Sequence, residues 1–110
     1  MLNDMAQRIY GFNKAKGWHS GPPDLAAFLM NLHSEISEMW EAWRSGEILS
    51  PCDKAPKMEE PLTCMEEELA DILIRTLDTA AVFEIDLDRA VRVKLAFNAT
   101  RPHRHGGKLA

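Results

Sequence analysis

Apolar residues in this chain recur at steps of three and four, and almost nowhere at steps of two. A period near 3.6 gathers side chains on one side of an α-helix, whereas a half-buried strand requires strict alternation. No Asn-Gly or Asp-Gly hairpin signal breaks the pattern, so the fold class expected is all-α. Four helical segments follow. The first, about residues 2–16, places Leu2, Met5, Ile9 and Phe12 on one stripe and stops at Gly17. Gly21-Pro22-Pro23-Asp24 opens the second, about 24–45, because proline is tolerated only at a helix start and Asp24 caps the free N–H groups. Its expected buried stripe is Leu25, Phe28, Leu29, Leu32, Ile36, Met39, Trp40 and Trp43, and Gly46 ends it. Residues 46–61 hold Pro51, Pro56 and Pro61 without periodicity and read as a long surface loop. A third helix is expected from Glu59 or Pro61 to Phe83, with Leu62, Met65, Leu69, Ile72, Leu73, Thr76, Leu77, Ala80 and Phe83 inward. Asp86 caps a fourth, about 87–100, which Pro102 closes; the basic tail 103–110 is expected to be mobile.

The composition bounds the class of function. One domain of 110 residues, 45% hydrophobic and 27% charged, suits a soluble globular protein, and no apolar run is long enough to cross a bilayer. The first ten residues lack the apolar block of a secretory signal, so a cytoplasmic location is expected. Cys52 and Cys64 form no Cys-x-x-Cys pair and indicate neither zinc nor a disulfide framework. A net charge of −4 argues against non-specific nucleic-acid binding, which needs a basic face.

Two acid pairs stand out. Glu35 and Glu38 lie three apart on the flank of the second helix's stripe, and Glu68 and Asp71 repeat that step on the third. Either pair alone reads as a solvated helix face, with Glu66, Glu67 and Glu68 a charged run and Asp71 paired to Arg75. Brought together, four carboxylates need counter-charge, and Mg²⁺ or Mn²⁺ suits oxygen ligands that also bridge to phosphates. On the fourth helix Lys94, Asn98 and Arg101 share one strip, near the apolar line of Leu87 and Val91, as donors for phosphate or sugar. Trp18 and His19, in the loop before the second helix, offer a stacking surface for a base; Trp40 and Trp43 read better as core or subunit interface. His103 and His105 read as a solvated tail.

Glu35-Ile-Ser-Glu38, Glu68-Leu-Ala-Asp71 and Lys94-x-x-x-Asn98-x-x-Arg101-Pro102 together resemble the MazG-like all-α nucleoside triphosphate pyrophosphatase superfamily, marked by E-x-x-E…E-x-x-D, over about residues 18–108. Twenty-nine residues separate Glu38 from Glu68, a long gap that the proline-containing loop absorbs. The resemblance implies a four-helix bundle that cleaves (deoxy)nucleoside triphosphates to monophosphate and pyrophosphate with Mg²⁺, a house-cleaning activity on the nucleotide pool. By the same resemblance Glu35, Glu38, Glu68 and Asp71 bind metal, Glu38 or Glu35 serves as general base, and Lys94, Asn98 and Arg101 bind substrate, to which the loop position of Trp18 adds a base-stacking residue.

A homodimer or homotetramer is expected, since so short a chain covers little of its own apolar surface and Met30, Ile74 and Val82 point away from the main stripes. A di-iron carboxylate bundle is disfavoured because no Glu-x-x-His step is present at either pair. A non-enzymatic helical interaction module and a phosphoribosyl-ATP pyrophosphohydrolase-like enzyme are the alternatives.

Overall fold

Main-chain hydrogen bonds close helices, turns and one short bridge, with no strand; the computed structural model describes all residues, Met1–Ala110. Four long helices, α1 (Leu2–Ala15), α2 (Leu25–Arg44), α3 (Cys64–Val82) and α4 (Leu87–Thr100), precede a final turn at Arg104–Gly107. The all-α expectation holds. Asp24 caps α2 by accepting from the Ala27 N–H, and Asp86 caps α4 by accepting from Arg89. No helix is long and apolar enough to cross a membrane.

α3 starts later than expected, at Cys64 rather than Glu59 or Pro61. Thr63 and Glu66 form a reciprocal capping box, each side chain taking the other's backbone N–H, which fixes the first turn there. The preceding loop is also less loose than its prolines suggest. Cys52 donates its N–H to Leu62, and Cys64 and Met65 donate theirs to Ser50 and Ile48, so the chain doubles back as a short antiparallel clasp. A single 3₁₀ turn at Ala55–Lys57 follows, and Cys52 and Ala55 are buried.

α2 and α3 run antiparallel, with the Phe28 and Phe83 rings edge to face at one end and Trp43 near Met65 at the other. α1 packs across α3, and its Ala6 is buried, as are Leu77 and Ala80 on α3. Leu77, at 1% exposure, is the best-buried large side chain. Leu77→Ala leaves a cavity that neighbouring helices fill incompletely, so a loss of about 2–5 kcal/mol in urea unfolding is expected.

α4 is joined to α1 through polar contacts. The Asp88 carboxylate accepts the Leu2 and Asn3 N–H groups at 2.9 and 3.1 Å, while Asn3 Oδ1 accepts those of Leu87 and Asp88. Each helix thereby caps the other's first turn. Beyond this joint Val91, Val93, Leu95 and Phe97 remain exposed.

The buried stripes expected on α2 and α3 are therefore only half realised. Phe28, Leu32 and Met39 are half-buried, but Leu25, Leu29, Ile36, Trp40 and Trp43 on α2 and Met65, Leu69 and Leu73 on α3 stay exposed. Periodicity identifies which side of a helix is apolar, and a single chain of three packed helices lacks a layer to cover that side. The radius of gyration, 16.7 Å, accordingly exceeds the roughly 13 Å of a compact domain this long.

Candidate functional site

Glu35 stands at the middle of α2, facing α3, and is buried except for 8% of its side chain. A lone buried carboxylate must be paired. Arg75 of α3 supplies one donor, its Nε reaching Glu35 Oε1 at 2.8 Å. This cross-helix pair replaces the Asp71–Arg75 pairing considered from the sequence. Glu35 Oε2 is left buried without a donor, and so is Glu68 Oε2, two turns before Arg75 on α3. One ligand oxygen each from Glu35, Glu68 and Asp71 lies within 4.8 Å of the others.

Glu38, one turn along α2, sits at the exposed rim outside this triplet. The consecutive acids of α3 do not form a solvated run. Glu66 caps the helix, Glu67 is buried against Lys54 Nζ at 2.9 Å, and Glu68 turns into the cluster.

The electrostatics match the crowding. Burial, the hydrogen bond shared with Glu35 and the charges of Glu38, Glu35 and Glu67 push Glu68 up to about 8. Asp71 is raised by burial and by the charges of Glu35 and Glu67, and Glu38 by burial and the nearby Glu35. Burial opposes ionisation of Glu35 as well, but hydrogen bonds from Arg75, Glu68 and Glu38 bring it below its ordinary value. Without a cation, the raised pKa lets Glu68 keep a proton, which lessens the repulsion between the facing carboxyl groups.

The cluster opens into a cavity of about 870 Å³ that runs between α2 and α3. Glu35, Asp71, Arg75 and Lys54 line one end, and Tyr10, Trp18, His19, Phe28 and Asp78 the other. Ile74 and Val82, expected to face a partner, are among this cavity's lining residues. The chain matches no known protein family, no curated protein and no solved structure.

Lys94, Asn98 and Arg101 lie on and just after α4 and are not among the cavity's lining residues. Lys94 and Arg101 flank the Phe97 ring at 5.0 and 5.8 Å, and Asn98 Oδ1 is buried without a donor. Trp18 does line the cavity, with 69% of it exposed. Trp40 and Trp43 stack on each other at 5.2 Å away from it, beside an apolar hollow with Ile36, Met39, Ile48 and Met65.

The cations within the cavity are Arg75 and Lys54, and neither was picked out from the sequence as a site residue. Arg75 falls four residues after Asp71 and looked like its surface partner, whereas Lys54 belongs to an aperiodic loop. Only its approach to Glu67, which raises the Lys54 pKa through their hydrogen bond, marks it as part of the site.

The residues present fit a hard divalent cation. Three carboxylates converge, two buried oxygens lack donors, and no sulfur or imidazole ligand intrudes. Oxygen-only donor sets of this kind favour Mg²⁺ or Mn²⁺ over softer metals.

Proposed function

We propose that the protein is a Mg²⁺-dependent nucleoside triphosphate pyrophosphohydrolase, releasing monophosphate and pyrophosphate. The observation that carries this reading is the buried, donorless pair Glu35 Oε2 and Glu68 Oε2 in a cluster whose Glu35 and Asp71 line a cavity that also holds Tyr10, Trp18 and Phe28. An acidic protein can hold a triphosphate at such a place only through metal, and a base can be accommodated only at the aromatic end. Glu35, Glu68 and Asp71 would hold the magnesium, which would supply charge neutralisation for the triphosphate and Lewis acidity for water activation.

The chain's own groups do the rest. Arg75 keeps Glu35 ionised and oriented as a ligand. Lys54, tethered by Glu67, sets a positive charge at the phosphate end, the role first assigned to Lys94 and Arg101. Glu38, at the wet rim, is the candidate to take the proton of the attacking water. Its pKa is raised by burial and by Glu35, which improves it as a base.

The function is tested by a panel of ribo- and deoxyribonucleoside triphosphates with and without Mg²⁺. Monophosphate and pyrophosphate in equimolar amounts, abolished by chelator, are expected. Diphosphate and orthophosphate as products, or no turnover at all, would overturn the reading.

A second copy of the chain is part of the proposal. The exposed surface is 8628 Å², whereas a compact monomer of 12.4 kDa exposes about 6,100 Å². The excess has the size that one subunit of an obligate homodimer loses, and the uncovered stripes of α2 and α3 supply the apolar area. Sedimentation should give at least twice the chain mass, and Leu73→Arg, which puts an unpaired charge into that stripe, should give monomers.

A further inference from the structure

Charge is divided unevenly along the chain. Arg89, Arg92, Lys94, Arg101, Arg104 and Lys108 fall after residue 88, and no acid does. Residues 1–88 hold all 17 carboxylates against the remaining 7 Lys and Arg. α4 with the segment after it is thus basic, while the body formed by α1, α2 and α3 is acidic. None of the six late cations is paired with an acid, since every ion pair in the structure joins other residues.

α4 also contributes nothing to the core. None of its residues is buried, and every one from Arg89 to Phe97 is exposed. Leu87, Val91 and Leu95 succeed one another at steps of four along one side, and Val93 and Phe97 lie on the other, about 160° round the helix. A helix with apolar residues on both sides is one that is covered on both sides. Nor does a helix of 14 residues persist on propensity alone, because helices shorter than about 12–15 residues are marginal in water until something packs against them. The joint with α1 holds only its first turn.

Resting on the second copy proposed above, we infer that α4 is an exchanged arm, packed on the exposed α2–α3 stripe of another copy of this chain, whose acidic body meets its cations. The stripe has the form to receive it. Ile36, Met39, Trp40 and Trp43 of α2 enclose, with Ile48 and Met65, a hollow of about 340 Å³ lined by apolar side chains alone, and Trp40 and Trp43 are more than half exposed. A helix laid in such a groove inserts anchors at steps of three and four, the spacing of Leu87, Val91 and Leu95. The arm, about 21 Å long, is shorter than the stripe, about 27 Å from Leu25 to Trp43. A twofold axis makes the exchange reciprocal, each copy giving one arm and receiving one. A nucleic acid would answer the cations but not the apolar sides, which a phosphate backbone leaves wet.

The test is on the full chain in solution. Sedimentation of the wild type should give a dimer whose dissociation constant rises about tenfold or more from low to high salt, because opposite charges meet in it. Leu95→Arg and Phe97→Arg should each raise that constant about a hundredfold or more, by setting an unpaired charge into the contact. Neither side chain is buried in its own chain, so α1, α2 and α3 should keep their helical circular dichroism while α4 unwinds. Zero-length carbodiimide coupling of mixed isotope-labelled and unlabelled chains should join Lys94 or Lys108 of one copy to carboxylates of residues 1–88 of the other. Variants that dimerise as tightly as wild type, or dimers in which Lys94 and Lys108 couple only within one chain, would overturn the exchanged arm while leaving a dimer through α2 and α3 intact. A wild type that stays monomeric at every concentration would instead overturn the second copy itself.

Discussion

Glu68→Gln should reduce pyrophosphate release by about 10³-fold or more, the scale expected when a preorganised charged group is lost from a phosphoryl-transfer site. The same substitution should make the metal-free protein more stable, by an amount that grows as pH climbs from about 4.5 to about 8. Glu68 is pushed up to about 8 by burial, by its hydrogen bond with Glu35 and by neighbouring acids, so near pH 6 it already carries a proton. A glutamine copies that protonated state, and below about pH 4.5, where the unfolded chain keeps the proton too, the melting temperature should scarcely move. At pH 9 the wild type must hold Glu68 ionised beside Glu35, and the variant should be more stable by about 1–3 kcal/mol, the cost of an unsatisfied buried group. For a domain of this size that is roughly 5–15 °C in Tm. Dead enzyme with a raised Tm at pH 9 separates a functional acid cluster from a structural one. Full activity, or a variant less stable than wild type at pH 9, would remove Glu68 from the site.

The second large effect is the pH dependence of metal binding. Glu68, Asp71 and Glu38 all have raised pKa values, through burial first and then through neighbouring acids, Glu35 in every case. A carboxyl with a raised folded-state pKa binds more protons folded than unfolded between its ordinary value and the raised one. Stability must therefore fall as pH climbs through that window, from about 4.5 to about 8 for Glu68. Glu35, Glu66, Asp86 and Asp88 are shifted the other way and add stability as pH rises through the ordinary carboxylate range. The metal-free protein should then be most stable near pH 5 and decline toward pH 9. Magnesium reverses the decline because its ligands must be deprotonated. At pH 8.5 a saturating excess of Mg²⁺, about a hundred times its Kd, contributes about 2.7 kcal/mol and should raise Tm by roughly 10–20 °C. At pH 5 the rise should nearly vanish. Titration calorimetry at pH 7 in buffers of different ionisation enthalpy should show a proton released on binding. A Tm indifferent to Mg²⁺ at both pH values would favour the non-enzymatic helical module.

Much of this architecture was legible in the sequence because it depends on residues a few positions apart. The 3.6 period, Asp24 after two prolines, Asp86 before Leu87 and the three-residue steps of Glu35/Glu38 and Glu68/Asp71 are all local, and the helices carry them where expected. The start of α3 was misplaced because its cap, Thr63 with Glu66, works together with the pairing of residues 48–52 against 62–65. That contact spans more than ten residues and leaves no periodic trace.

Sequence alone determined that the chain is helical, which side of each helix is apolar, and that two of the helices carry acid pairs on the flank of that side. The tertiary structure decided which acids meet. The relative rotation and register of α2 and α3 bring Glu35, Glu68 and Asp71 together and leave Glu38 at the rim. The same packing gives Arg75 to Glu35 across the interface, brings Lys54 from a loop to Glu67, and joins His19 to Asp78 across 59 residues of chain. Side-chain direction along one helix follows from backbone geometry, but the meeting of two helices depends on how their surfaces interlock and where the connecting loop lets them slide. That balance is struck by long-range packing, and it converts two ordinary acidic faces into one buried, mutually repelling cluster.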